Sequence, residues 1–571
     1  MRTPYLRPSL LPTVLLPLGV LALVALRLPS PARAAYPTPA EGTSFAASTD
    51  HSDATRAAMD VMGVGGNAVD GAIAAALVLG VVNPSASGFG GGGFAVVYSA
   101  RDKRATVLDF RETAPRGLDV ESIAGKRLGE RARGATVGVP GEPAGLELMS
   151  KRWAKRSLAD DAAPAVALAT RGFYVSRHLA DATGWVLPRI KQSPELSATF
   201  APTGSPIGYA TLVRRPELGR TLARFGAEGK SAAYSGPVAQ RIVDAVRASG
   251  GKMDLVDLAD YTVRERAPLT RTIDGKTIVT MPAPSAGGLM LLETLGMHGA
   301  SPSSGLAQHG NGSSAYFHVL AETMRGALAD RIRFATDPDL EPAVDRKYDA
   351  ALAPAQLAAR KAKIDLQKTR PAPEWKTQEH GTSHLVTWDY EGNVVSLTTT
   401  VNGPFGAQVV AGDTGILLNN ELDDFSTAED IQGFGVVGLG PNRPRPRARP
   451  VSSMTPVIVL DNGVPVLALG GSGGQRIATG VTQGALCRLV FGLDPSACVS
   501  QPRVHVTTNA LFVDPEIAPD VRAGLEARGE TLKDESFHPA LEMIALDTKA
   551  PGKPRLLAAS DPRKGGFAAA R

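Results

Sequence analysis

The stretch NAVDGAIAAALVLGVV, residues 67–82, constrains the fold of this 571-residue chain most tightly. It reads as a helix opening at Asn67, a residue type that caps free backbone N–H groups. The helix is apolar on almost every side, so it has to be buried all round, and its Ala and Gly residues imply close backbone packing. Upstream, SDATRAAMDVM reads as a companion helix with Ser52 or Asp53 as N-cap, ended by GVGG. Downstream comes NPSASGFGGGGFAVVYSA, in which Gly88, Gly90 and Gly93 fit G-x-G-x-x-G. A dinucleotide site needs a strand before those glycines and a helix after them. Here the order is reversed, which excludes a Rossmann site and leaves bare backbone where another group can approach closely.

FAVVYSARDKRATVLDFRETAP reads as a hairpin running into Arg111. Residues 160–350 read as mostly helical, with a flexible loop at SPSSGLAQHGNGSS. Residues 351–380 are polar, basic and Pro-containing, the composition of a poorly ordered connector. From Thr382 the chain turns strand-rich: SHLVTWD, a turn at YEGN, VVSLTTTV, then GILLNN, TPVIVL and PVLALG. Helices return near Gln475 to Val490, and no internal repeat is visible. A hydrophobic fraction of 43% and a charged fraction of 20% are those of an ordinary globular protein.

The N-terminus has the layout of a secretory signal peptide. Arg2 and Arg7 precede an apolar run, Leu10–Leu26, and PSPARAA supplies small residues for cutting after Ala34 or Ala35. Pro12 and Pro17 inside the run argue against an uncleaved anchor, and no other segment is apolar for long enough to span a bilayer. Removing residues 1–34 takes four arginines from a formal charge of +5 and leaves about +1. A near-neutral body argues against nucleic acid as a partner. Arg443, Arg445, Arg447 and Arg449 read as a solvated Pro-rich loop. Cys487 and Cys498 could pair in an exported protein or remain buried thiols.

EHGTSHLVTWDYEGNVVSLTTTVN, residues 379–402, puts Gly381 and Thr382 where the connector meets a strand. Either Thr382 merely packs there, or the chain breaks and Thr382 becomes a new N-terminus. His380 and His384 have the spacing of a zinc H-E-x-x-H helix, but Gly381 stands where the glutamate belongs and strand residues follow. Metal catalysis is therefore set aside.

Together GGNAVDGAIAAALVLGVVNPSASGFGGGGF, LDFRETAP, GVPGEPAGL, MPAPSAGG, GTSH, TTVN, GILLNNELDDFS, SSMTP and GGSGGQRI resemble the γ-glutamyltransferase (γ-glutamyl transpeptidase) family, from about His51 to the final segment. The resemblance implies an α+β fold, the four-layer αββα sandwich of N-terminal-nucleophile hydrolases. It also implies a large chain 35–381 and a small chain 382–571, released by self-cleavage between Gly381 and Thr382. The freed α-amine, with an ordinary pKa of about 8, can accept the Thr382 hydroxyl proton near neutral pH. Thr400, at the end of the returning strand, is implied to orient that hydroxyl. Arg111, Ser452 and Ser453 are implied to hold the substrate α-carboxylate, and Asn402, Glu421 and Asp424 its α-ammonium. Backbone N–H groups of Gly473 and Gly474 are implied to form the oxyanion hole. Asp423 is left out of the set, and His384 is read as structural.

Implied substrates are glutathione and other γ-glutamyl amides, with water, amino acids or dipeptides as acceptors and no metal or organic cofactor. Export to the periplasm is the first expectation for location. The loop between DDFS and SSMTP departs from members that carry a lid tyrosine, since Phe434 is its nearest aromatic. Two rival readings stand beside this one. One is a cephalosporin-type acylase taking glutaryl groups, which would leave Glu421 and Asp424 without a partner. The other is an uncut, non-catalytic binding protein.

Overall fold

The helix expected from residue 67 onward is Ala68–Val82, and every one of its fifteen residues is buried. Asn67 caps it by accepting the N–H groups of Val69 and Asp70, while Asp70 accepts a bond from the Asn67 N–H. Its partner, Ser52–Gly63 (α1), is capped one residue earlier than expected, because His51 Nδ1 accepts the Asp53 N–H at 3.2 Å. The computed structural model describes residues 36–126, 128–371, 381–427, 436–507, 509–535, 539–548 and 554–571. The expected signal peptide, His380 and Phe434 lie outside the described residues. Residues 38–571 make up one compact unit, and of the unit before it only Tyr36 and Pro37 are described.

Among the described residues, two large sheets carry the fold. Their strands are β1 (Ala40–Gly42), β2 (Ala46–Thr49), β3 (Gly92–Ser99), β4 (Arg104–Phe110), β5 (Arg264–Arg266), β6 (Leu269–Ile273) and β7 (Lys276–Thr280). After these come β8 (Gly381–Trp388), β9 (Val394–Asn402), β10 (Val457–Asp461), β11 (Val464–Ser472), β12 (Ala540–Asp547), β13 (Arg555–Ser560) and β14 (Phe567–Ala570). One sheet runs β14-β2-β8-β9-β3-β4-β5 and the other β1-β13-β12-β11-β10-β7-β6. All neighbours are antiparallel.

Alternation along the strands divides the core. Val386, Trp388, Val394, Phe94 and Val96 face the second sheet, in one cluster with Val457, Ile458 and Leu469. The intervening Leu385, Val395, Leu397, Ala95 and Val97 face the Ala68–Val82 helix (α2). Glu142–Trp153 (α3) also packs on this outer face. Helices Gly287–His298 (α4), Ser314–Phe334 (α5) and Ile477–Leu489 (α6) belong to the cluster of the second sheet. The result is a four-layer αββα sandwich.

Several readings need correction. Residues 264–280, read as helical, include three strands that complete the sheet edges. GILLNN is not a strand and makes only isolated bridges to Gly90 and Val410, because its backbone serves the site loop. The connector contains a helix, Pro354–Lys361, whose Leu357 is buried. The arginine loop is not simply solvated. The Arg449 side chain is buried and donates to Asp339 and the Thr262 carbonyl, and Arg445 pairs with Glu341. Cys487 and Cys498 form a disulfide that ties α6 to the helix Pro495–Ser500.

Candidate active site

The apolar helix α2 delivers the site. It ends at Asn83, and the turn after it is held against the start of β8. Asn83 Nδ2 and Ser87 Oγ both donate to Ser383 Oγ, and the Ala86 carbonyl accepts the Val401 N–H. A Cβ on residue 381 would lie 2.4 Å from the Ser85 carbonyl oxygen, so only glycine fits there.

Strand β8 pairs with β9 through Gly381↔Asn402 and Ser383↔Thr399, with a register shift between those pairs. Thr382 sits at this bulge, opposite Thr400 and Val401, because β9 carries one residue more than β8 between the two pairs. Its hydroxyl donates to the Gly381 carbonyl at 2.8 Å and lies 3.3 Å from the Thr400 hydroxyl. Thr400 accepts the Asn402 N–H at 2.8 Å and donates its own proton to the same Gly381 carbonyl at 2.9 Å. Two hydroxyl donors thus polarise the carbonyl of the bond expected to break.

Around these threonines the structure gathers Arg111, Asn402, Glu421, Asp424, Ser452, Ser453 and Gly474 as walls of one small cavity of about 20 Å³, room for one water-sized sphere. Arg111 leaves β4 fully buried. Its Nε donates to the Pro450 carbonyl at 3.0 Å, and Nη2 donates to Val451 O at 2.8 Å and Asp424 Oδ2 at 2.6 Å. Nη1 pairs with Glu421. Burial works against the Arg111 charge, but Glu421 and Asp424 outweigh it and raise its pKa. Burial also pushes Glu421 up to about 8, against the pull of Arg111. Asn402, held at φ +74°, donates to the Asn420 carbonyl at 3.0 Å and reaches Asp424 Oδ1 at 3.5 Å. Asp423, left out of the expected set, turns away to Arg131 at 2.7 Å.

Gly473 and Gly474 follow β11 with φ of +129° and +60°. A Cβ on Gly473 would meet the Pro539 backbone at 2.9 Å. Gly474 lines the small cavity, whereas Gly473 lines a second, larger one that Thr382 also lines.

Two site residues escaped the sequence reading. Arg331 comes from α5, lines the small cavity and donates to the Ser452 carbonyl at 2.8 Å. Lys564, near the C-terminal end, donates to the carbonyl of Thr382 itself, to Asp50 at 2.6 Å and to Ser472 at 3.1 Å. Neither sits in a local pattern that marks it out, since both arrive from distant segments. His384 is buried between Thr398 and Ser396, and burial, with Lys564 nearby, pushes its pKa down to about 3. Among the described residues no group of three or more His, Cys, Asp or Glu could hold a metal ion.

A double antiparallel sheet between helical layers, with a buried hydroxyl at the start of a central strand, is the architecture of an N-terminal-nucleophile hydrolase. Residues 54–571 match the family model described as Gamma-glutamyltranspeptidase. The chain is 35% identical to glutathione hydrolase 2 of Arabidopsis thaliana, covering 91% of this chain and 93% of that one. It is 32% identical to the glutathione hydrolase proenzyme of Escherichia coli K12, covering 89% of each. Among solved structures it resembles a cephalosporin acylase from Bacillus halodurans, with TM-score 0.81, 25% identity and coverage of 95% of this chain and 98% of that chain. The chain belongs to the γ-glutamyltranspeptidase family and is an enzyme of γ-glutamyl transfer and hydrolysis.

Proposed function

We propose that the chain cuts itself between Gly381 and Thr382, and that the small chain 382–571 then uses Thr382 as nucleophile on γ-glutamyl amides such as glutathione. In the first reaction the Thr382 hydroxyl rotates from the Gly381 carbonyl oxygen onto its carbon. The amide becomes an ester, and water releases the chain ending at Gly381. The freed Thr382 amine then serves as the proton acceptor for its own hydroxyl. In turnover, Thr382 Oγ1 attacks the γ-carbonyl, the amine leaves, and water or an acceptor amine resolves the γ-glutamyl ester. Gly473 and Gly474 N–H groups stabilise the oxyanion, each donor worth roughly 3 kcal/mol.

The observation that carries the donor class is the Arg111–Glu421–Asp424 cluster. A buried ion pair tolerates no loss of one partner. The α-amino acid head of a γ-glutamyl group brings both charges, so its carboxylate goes to Arg111, Ser452 and Ser453 and its ammonium to Asn402, Glu421 and Asp424. A glutaryl group brings only the carboxylate and would draw Arg111 away from the buried Glu421 and the partly buried Asp424. Likeness to an acylase fold keeps glutaryl cleavage as the second reading, and turnover of γ-glutamyl against glutaryl 4-nitroanilide separates the two.

The names of the bacterial relatives, proenzymes, support processing. The disulfide between Cys487 and Cys498 supports export to an oxidising compartment, with the periplasm as our reading. N-terminal sequencing of the smaller chain tests the cut. It should begin Thr-Ser-His-Leu, and Thr382→Ala should remain a single polypeptide. An intact chain in fully active protein would overturn the proposal.

A further inference from the structure

Thr382 lines two spaces of very different size. The glutamyl side is the small cavity already described, while the other space is a cleft of about 810 Å³ that Gly381, Thr382 and Gly473 line. An acyl group held on the tight side directs the departing amine, and the incoming acceptor, toward the open side. The walls of that cleft therefore decide which amines are handled.

Its rim is unusual for a water-exposed surface. A short ribbon pairs Phe173–Tyr174 with Leu212–Val213, and between them runs the helix Arg177–Trp185. Tyr174 is 67% exposed, Tyr209 66% and Trp185 45%, and all three line the cleft. Arg177 also lines it, with its guanidinium 5.6 Å from the centroid of the Tyr209 ring. A cation stacked on a ring is oriented and stripped of part of its water, which favours binding of a planar anion.

The other cations of the cleft are occupied. Arg56 meets Asp53, Arg563 meets Asp514 and Asp561, and Lys564 meets Asp50. Burial pushes the cleft histidines His51 and His178 down, toward the neutral form. Arg177 has no carboxylate within ion-pair distance among the described residues, and Asp181, one turn further along the same helix, is not bridged to it.

We propose that Arg177 on Tyr209, flanked by Tyr174 and Trp185, selects γ-glutamyl amides and acceptors whose amine half carries a flat ring and a carboxylate. This rests on the reading of Thr382 as the nucleophile. The test compares kcat/KM for γ-glutamyl-4-nitroanilide and its 3-carboxy derivative in the mature enzyme, Arg177→Ala, Arg177→Lys and Tyr209→Ala. The ratio of carboxylated to plain substrate should fall about tenfold in Arg177→Ala, the size of one lost charge-assisted hydrogen bond. It should be partly kept in Arg177→Lys and lowered severalfold in Tyr209→Ala, with plain-anilide turnover and self-cleavage on gels little changed. Inhibition by 5-amino-2-nitrobenzoate should weaken in the same variants, while that by 4-nitroaniline should not. A ratio unchanged within twofold, or an equal fall on both substrates, overturns the assignment of the cleft alone. A mature enzyme that cleaves neither anilide overturns the nucleophile reading as well.

Discussion

The hydroxyls of Thr382 and Thr400 donate to one and the same carbonyl oxygen, that of Gly381, at 2.8 and 2.9 Å. Thr400 holds this position because its oxygen also accepts the Asn402 N–H. Thr400→Val keeps shape and strand preference but removes the donor. Self-cleavage should slow by roughly 10²-fold, the usual effect of losing one such donor. Thr400→Ser should recover most of the rate, read as conversion of one band to two on a gel over time. Equal rates in wild type and Thr400→Val would exclude this role.

Arg111 stands between two acids, so its removal should cost far more than that of a surface arginine. Arg111→Met leaves the buried Glu421 and the partly buried Asp424 beside a neutral side chain, and unfolding free energy should drop by about 3–5 kcal/mol. Glu421→Gln in the same background should restore part of it by replacing a buried carboxyl, already pushed up to about 8 beside Arg111, with a side chain that cannot ionise. Denaturant midpoints of the two variants provide the check.

How far could these partners be read from the residues alone? The Gly381–Thr382 junction, the α2 helix and the β8–β9 hairpin stand on contiguous patterns, and each lies where its pattern starts and stops. Period-two alternation in SHLVTWD and VVSLTTTV is strong because both faces of these strands are buried against different layers. Strands β5, β6 and β7 carry Arg, Glu, Thr and Lys at a sheet edge, so their alternation is weak and a helical neighbourhood hides it. Arg331 and Lys564 were out of reach for another reason. Each is one cation among many on its segment, and only the folding of α5 and the C-terminal turn onto the site gives it a role. The same holds for Arg449, whose burial depends on Asp109 and Asp339 coming from other segments.

Glu142, in the first turn of α3, has its pKa raised to about 8 by burial, against a hydrogen bond from Thr399 that lowers it. A carboxyl whose folded pKa lies above its unfolded value of about 4.5 is protonated in the folded chain where the unfolded one has lost its proton. Its contribution to stability is therefore complete below about pH 4.5 and is lost as pH rises toward 8. Glu142→Gln cannot ionise. The stability of the variant relative to wild type should rise between pH 5 and pH 8, by an amount on the order of a few kcal/mol. Urea titrations of both proteins at three pH values within that window measure the difference. A constant difference would mean that Glu142 is ionised in the folded chain.

Gly473 gives the last prediction, because backbone strain and site geometry can be separated there. Its φ is +129°, and a Cβ at this position would stand 2.9 Å from Pro539, so Gly473→Ala has to shift the chain whose N–H groups we propose as the oxyanion donors. Activity on γ-glutamyl-4-nitroanilide should fall by roughly 10²–10³-fold through kcat, since the donors act only on the developing oxyanion. Gly463, in the turn between β10 and β11, also has a positive φ, +80°, but nothing lies within 4 Å of its Cβ position. Gly463→Ala should lose about 1 kcal/mol of stability from the left-handed backbone alone and keep full turnover. If both variants lost activity in proportion to their stability, the Gly473 effect would be one of folding. A loss of kcat confined to Gly473→Ala ties that glycine to the reacting centre.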